Sequence, residues 1–167
     1  MSTITVFGGT GYAGRHIVAE AAGRGHTVLS VSRKVAGDRV AGVTYVEGTL
    51  LDVPSLLTEL QGVDAVVIAV SPRGEMEGLV RPNVEALAST LPDDVRLGVV
   101  GGAGGSLVAP GGPRLVDTDF PEAFKAEALE MAGVLDDLQA EQSSRDWFFI
   151  HPAGGFGGFN PGERRGT

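Results

Sequence analysis

Short runs of apolar and β-branched residues alternate along the chain with stretches whose apolar positions recur every three or four residues. The runs Ile4 to Phe7, Thr27 to Val31, Thr44 to Val46, Ala65 to Val70, Arg96 to Val100 and Trp147 to Ile150 read as six strands, most of them too apolar for a sheet with one wet face. Between them, Ala13, Ile17, Val18 and Ala21 form one helical stripe, and Val80, Val84, Leu87 and Leu91 a second. Phe124, Ala128, Met131, Leu135 and Leu138 predict a third buried stripe. Asp52 ahead of Val53-Pro54 reads as an N-cap with proline in the first turn of a short helix. The alternation predicts an α/β fold, a doubly wound parallel sheet with helices on both faces.

At 167 residues, with 43% hydrophobic and 20% charged residues, the chain reads as one domain over 1–167, with no internal repeat or linker. Cysteine is absent, which excludes a disulfide framework, a thiolate metal site and a cysteine nucleophile together. The three histidines have no metal-ligand spacing and no supporting carboxylate cluster, so no metal is expected. A formal net charge of −8 with scattered Lys and Arg argues against a nucleic-acid partner. The chain starts directly on a strand pattern and has no long apolar run, so neither a membrane nor secretion is expected. A cytoplasmic protein acting on a small-molecule substrate, in a homo-oligomer if not alone, fits these bounds.

Glycine changes the picture. There are 26, against the roughly 12 that average usage would give, and fifteen fall in Gly8 to Gly14, Gly101 to Gly112 and Gly154 to Gly162. Each segment follows a predicted strand. Ligands of open α/β sheets lie outside the carboxyl ends of the strands, so the three loops are expected to border one crevice.

The first of them satisfies two dinucleotide spacings, Gly9-x-Gly11-x-x-Gly14 and Gly8-x-x-Gly11-x-x-Gly14. Such a site needs a tight turn, a backbone without Cβ atoms beside the pyrophosphate, and a helix N-terminus whose free amides face the anion. Gly8, Gly9, Thr10, Gly11, Tyr12, Ala13 and Gly14 are the candidates for that contact, although the same spacing also serves a purely structural turn. An NAD-selective site carries an acidic residue about 20 positions further on. Here that place reads Val31-Ser32-Arg33-Lys34. Ser32 can donate to a 2′-phosphate and Arg33 and Lys34 can pair with it, which favours NADP(H) over NAD(H); the alternative is a solvated basic turn.

Thr49 and Leu50 follow the third strand, where an adenine would lie. Ala69 and Val70 end the fourth and Ser71 follows it, where a ribose and nicotinamide would pass. Both are equally consistent with plain strand-end turns. Ser106, in the loop after the fifth strand, and His151, directly after the sixth, are the catalytic candidates, one to orient a substrate carbonyl and the other to donate a proton. Pro152 beside it joins the cofactor set. A solvated serine and a histidine satisfying a loop backbone group are the plain alternatives, and His16 and His26 read as structural.

Val6-Phe7-Gly8-Gly9-Thr10-Gly11, Gly25-His26-Thr27-Val28, Gly62-Val63-Asp64-Ala65-Val66, Val99-Val100-Gly101-Gly102-Ala103-Gly104, Arg114-Leu115-Val116-Asp117-Thr118 and Pro161-Gly162-Glu163-Arg164 together resemble the atypical short-chain dehydrogenase/reductases of the NAD(P)H-binding, NmrA-like and NADH-flavin-reductase type. The resemblance, which extends distantly to biliverdin-IX beta reductase, implies strand order 3-2-1-4-5-6 and a nicotinamide beneath the loops after strands four to six. Two departures matter. The Tyr-x-x-x-Lys pair of typical short-chain dehydrogenases is replaced by Phe124-Lys125-Ala126-Glu127-Ala128, and no tyrosine follows Tyr45, which leaves Lys125 as a surface residue. Hydride transfer to a flavin-like or quinone-like acceptor is then expected in place of tyrosine-dependent carbonyl reduction. The alternatives are a redox-sensing protein that holds NADP(H) without turnover and an epimerase or dehydratase. Relatives of this type continue for several tens of residues past the Pro-Gly-Glu-Arg segment, so the chain reads as C-terminally shortened, with an incomplete lid and a sheet edge open to another subunit.

Overall fold

The computed structural model describes residues 1–35, 37, 39–141 and 144–163. Its six strands, β1 (Thr3–Phe7), β2 (Thr27–Ser32), β3 (Val43–Glu47), β4 (Ala65–Ile68), β5 (Arg96–Val100) and β6 (Trp147–Ile150), pair in parallel in the order β3-β2-β1-β4-β5-β6. This is the Rossmann-type order that the resemblance implied. Phe7 at the end of β1 stands in register with Val31 of β2 on one side and Ile68 of β4 on the other. The chain reverses its direction of travel across the sheet between β1 and β4, which opens a crevice at their carboxyl ends.

Successive strand residues face opposite layers, so the sheet feeds two cores. Val6, Val28 and Val67 meet Val18 and Ala21 of α1 (Tyr12–Gly23) on one face. Phe7, Val31, Val66, Ile68, Leu97 and Val99 meet α2 (Val80–Thr90) and α3 (Lys125–Ala140) on the other, through Val80, Val84, Leu87, Met131, Val134 and Leu138. The continuous apolar pattern describes the central strands. The edge strands β3 and β6 are half-buried.

Charged side chains tie α2 in place. Glu130 on α3 accepts the amides of Gly78 and Val80 at 2.7 Å and of Arg81 at 3.1 Å, setting a carboxylate against the positive end of α2. Arg81 donates twice to Asp137 at 2.7 Å, and Gly133 gives it room, since a Cβ there would stand 2.6 Å from its guanidinium. At the far end Arg145, only 6% exposed, donates to the carbonyls of Ala88, Leu91, Pro92 and Val95.

Several expectations are corrected. The short helix after β3 is 3-10 in character over Leu50–Leu56, in two turns that meet at Asp52: Thr49 caps the first, its hydroxyl accepting the Leu51 amide at 3.2 Å, and Asp52 precedes the second, its carbonyl accepting the Ser55 hydroxyl at 2.9 Å. Asp52 sits at a kink with φ −135° and ψ 59°. Pro54 has no amide to return to Leu50, so an α-helical ladder cannot start there. Phe124 belongs to the turn Glu122–Phe124 and is 55% exposed, because the buried stripe starts one turn later, at Ala128. The fourth strand ends at Ile68, although the Ala69 amide still reaches the Phe7 carbonyl at 2.9 Å. Arg164 of the Pro161–Arg164 segment lies outside the described residues. Among those described, no helix is long and apolar enough to cross a membrane.

Candidate functional site

The glycines after β1 are demanded by close packing. Gly8 has φ +78°, and a Cβ there would stand 2.5 Å from the Ala69 carbonyl oxygen. A Cβ on Gly14 would stand 2.1 Å from the carbonyl oxygen of Gly8, so the first turn of α1 lies directly on the loop. The loop is pinned to β2 where Gly8 N donates to Val31 O at 2.8 Å and Thr10 N to the Ser32 hydroxyl at 3.1 Å. Gly11 caps α1 with no side-chain bond, and the first helical bond runs from Arg15 N to Gly11 O. The Tyr12, Ala13 and Gly14 amides therefore have no partner within the helix, the condition an anion site requires.

This turn opens onto a cavity of about 670 Å³. Gly8, Thr10, Gly11, Ser32, Arg33, Lys34, Thr49, Leu50, Ala69, Val70 and Ser71 line it, which brings together the predicted contributions of the first four strands. Gly9 lies under the loop, where a Cβ would meet the Ser30 hydroxyl at 2.2 Å, and the Tyr12 ring turns aside to pack edge-on against Phe156 and His16. The walls also include Arg73, Glu75 and Met76, which sequence reasoning missed. They sit in the segment after β4, and only the three-dimensional path of that segment brings them here.

Ser32 is 7% exposed, and its hydroxyl, while accepting from Thr10, keeps its own hydrogen to donate. Arg33 donates to the Glu75 carboxylate at 2.8 Å, and Lys34 is exposed. Arg73 is held by a hydrogen bond to Glu127, which raises its pKa above its ordinary value. The cavity thus carries three cationic side chains and one carboxylate. A dinucleotide fits it: the glycine loop at the N-terminus of α1, cations beside the end of β2 and apolar walls from Leu50, Ala69 and Val70 meet in one space.

His151 is not among the lining residues. Its Nδ1 lies 3.1 Å from the Gly102 carbonyl oxygen, which can only accept, so Nδ1 carries the hydrogen and Nε2 the lone pair of the neutral ring. Phe149 packs beside it at 4.8 Å, and Gly105 lies close enough that a Cβ would meet its ring at 2.7 Å. Ser106 follows Gly105, and its carbonyl accepts the Leu115 amide at 2.8 Å. Neither Ser106, His151 nor Pro152 lines the cavity. The expectation of one crevice bordered by three glycine loops is corrected accordingly. Gly101 clears space for the Phe149 ring, which a Cβ would meet at 2.1 Å, and Gly104 clears space for Ala128. Among the described residues the third loop meets the first at Tyr12, where Phe156 packs edge-on and a Cβ on Gly158 would stand 3.4 Å from the ring.

Residues 8–157 match the model of the NAD(P)H-binding family. YwnB of Bacillus subtilis is 34% identical over 157 residues, which span 92% of this chain and 72% of YwnB. Among solved structures, a Streptococcus pneumoniae protein named by inference as an NADH-flavin reductase superposes with a TM-score of 0.78 at 31% identity, over 91% of this chain and 72% of that one. A Burkholderia pseudomallei protein named by inference as exported gives 0.77 at 39% identity, over 92% and 73%. With nine-tenths of its length matching the family model and a fold that presents the glycine turn as that family requires, the chain belongs to the NAD(P)H-binding family.

Proposed function

We propose that the chain is an NADP(H)-dependent oxidoreductase that passes a hydride to a flavin-like or quinone-like small molecule. The observation that carries this reading is the meeting, in one cavity, of the glycine loop that leads into α1, through Gly8, Thr10 and Gly11, with Ser32, Arg33 and Lys34. In it the amides of Tyr12, Ala13 and Gly14 hold the pyrophosphate, Ser32 and Arg33 take the 2′-phosphate, Thr49 and Leu50 flank the adenine, and Ala69, Val70 and Ser71 flank the nicotinamide ribose. Bound there, the dinucleotide supplies the hydride. The name of the pneumococcal relative points to the same acceptor class. No tyrosine follows Tyr45, and a planar acceptor can take its proton from water. His151 donates only as the imidazolium, because its Nδ1 hydrogen is committed to Gly102. Ser106 and His151 then serve the acceptor and Pro152 borders the nicotinamide side.

A second reading, a protein that holds NADP(H) without turnover, is favoured by Ser106 and His151 not being among the residues that line the cavity. Steady-state oxidation of NADPH with riboflavin, FMN and quinones separates the two. Saturable turnover, reduced about 100-fold or more in H151Q if the imidazolium is the proton donor, is expected of the enzyme. Tight NADPH binding with no oxidation above the uncatalysed rate would refute it.

A further inference from the structure

We infer that Glu75 sets coenzyme selectivity by acting as an internal anion: its carboxylate occupies the Arg33 guanidinium, and the 2′-phosphate of NADP(H) must exchange with it. The inference rests on reading the cavity as an NADP(H) site. Arg33 follows β2 and Glu75 lies in the turn after β4, yet the two meet at 2.8 Å and so join two walls of the cavity.

The turn that carries the carboxylate is held in place by its neighbours. Met76, only 3% exposed, anchors the turn in the core, and Glu130 holds the Gly78 amide at 2.7 Å. Gly74 has φ +59°, the left-handed conformation that starts the turn and that side chains other than glycine resist. Glu75 is thus presented at the mouth by an anchored turn.

The pair itself is not a structural bridge. Its side chains are 59% and 85% exposed, the situation in which an ion pair adds little to stability and exchanges readily. A phosphate, with more charge and three acceptor oxygens, outcompetes a carboxylate for a guanidinium fork. The displacement, however, gives up the attraction between Arg33 and Glu75, so the phosphate gains less than it would from a free guanidinium. NAD(H), with a 2′-hydroxyl, leaves the pair undisturbed. The carboxylate that the end of β2 lacks is therefore delivered from the turn after β4, and it narrows a preference that Ser32, Arg33 and Lys34 would otherwise make wide. Arg73, the second guanidinium lining the cavity, is engaged by Glu127 and leaves Arg33 as the guanidinium in contact with Glu75.

The test is an equilibrium titration of NADPH and NADH, read by their fluorescence, against the full chain as wild type, E75Q, R33A and the double variant. E75Q is expected to tighten NADPH roughly three- to tenfold and to move NADH by less than about twofold. The NADPH gain is expected to vanish in the R33A background. Glu75→Ala, equally exposed and uncharged, is expected to repeat the result. An unchanged ratio of NADPH to NADH affinity in E75Q, or a gain that persists without Arg33, would overturn the inference while leaving the cavity assignment standing. Failure of the wild type to bind either dinucleotide would overturn the assignment itself, and the inference with it.

Discussion

The hydroxyl oxygen of Ser32 accepts the amide hydrogen of Thr10 at 3.1 Å, so the end of β2 and the glycine loop after β1 are one hydrogen-bonded unit. Read as a phosphate ligand alone, Ser32 would matter only to NADP(H). Its bond to Thr10 gives it a second consequence. S32A is expected to weaken NADPH by about 2 kcal/mol, through the lost donor to a charged group, and NADH by about 1 kcal/mol, through the loosened loop. R33A, by contrast, should leave NADH almost untouched. Fluorescence titration of both coenzymes against both variants distinguishes the two roles.

Two glycines test whether the loop is built by packing. In G14A the new Cβ must displace the Gly8 carbonyl, which is backbone, from 2.1 Å. In G98A it meets the Phe148 ring at 2.2 Å, and that half-buried ring can swing. G14A is expected to lose coenzyme binding and to destabilise at the upper end of the range of about 1 to 3 kcal/mol for overpacking, and G98A to bind normally with a smaller loss. Urea unfolding beside a binding titration reads both. Equal losses would argue against the loop as a rigid cradle.

Arg145 is the largest single polar commitment outside the site. R145A would strip donors from four carbonyls around the C-terminus of α2, where water has little access, and is expected to cost about 3 kcal/mol or more. For a chain of this size that lowers the melting temperature by roughly 6 to 12 °C, measured by thermal denaturation. Coenzyme affinity of the folded fraction should not change.

The Arg114 guanidinium bonds Asp136 and holds its carboxyl below the ordinary value of 3.8. A depressed carboxyl pKa adds stability that is complete above the unfolded value and is lost as pH falls through the folded one. Asp136 is half-exposed, so the contribution is small, about 0.2 to 1 kcal/mol. The stability difference between wild type and D136N, followed by urea unfolding, should be constant near neutrality and shrink only on acidification below 3.8.

The strands were legible because a parallel sheet covered on both faces writes itself as unbroken apolar runs, and the strand ends then fixed which loops share the cavity. The helix after β3 was only half legible: Asp-Val-Pro marks the start of its second turn, but the local spacing does not show that a first turn capped by Thr49 precedes it or that Pro54 has no amide for Leu50. The later glycines misled for a related reason: Gly101 and Gly104 look like ligand loops in one dimension, but they make room for Phe149 and Ala128. Glu75 and Arg73 carry no motif at all. Their place at the cavity depends on Met76 entering the core and on Glu130 holding Gly78, contacts between segments about 50 residues apart.

The central claim is that the cavity beside the glycine turn holds NADP(H) by its phosphates, and a crystal structure determined with NADP⁺ at saturating concentration tests it most directly. The account predicts the pyrophosphate over the amides of Tyr12, Ala13 and Gly14, and the 2′-phosphate against Ser32 and Arg33 with Glu75 released. A dinucleotide bound elsewhere on the chain, or an adenine ribose turned away from Ser32 and Arg33 with the Arg33–Glu75 pair intact, would contradict it.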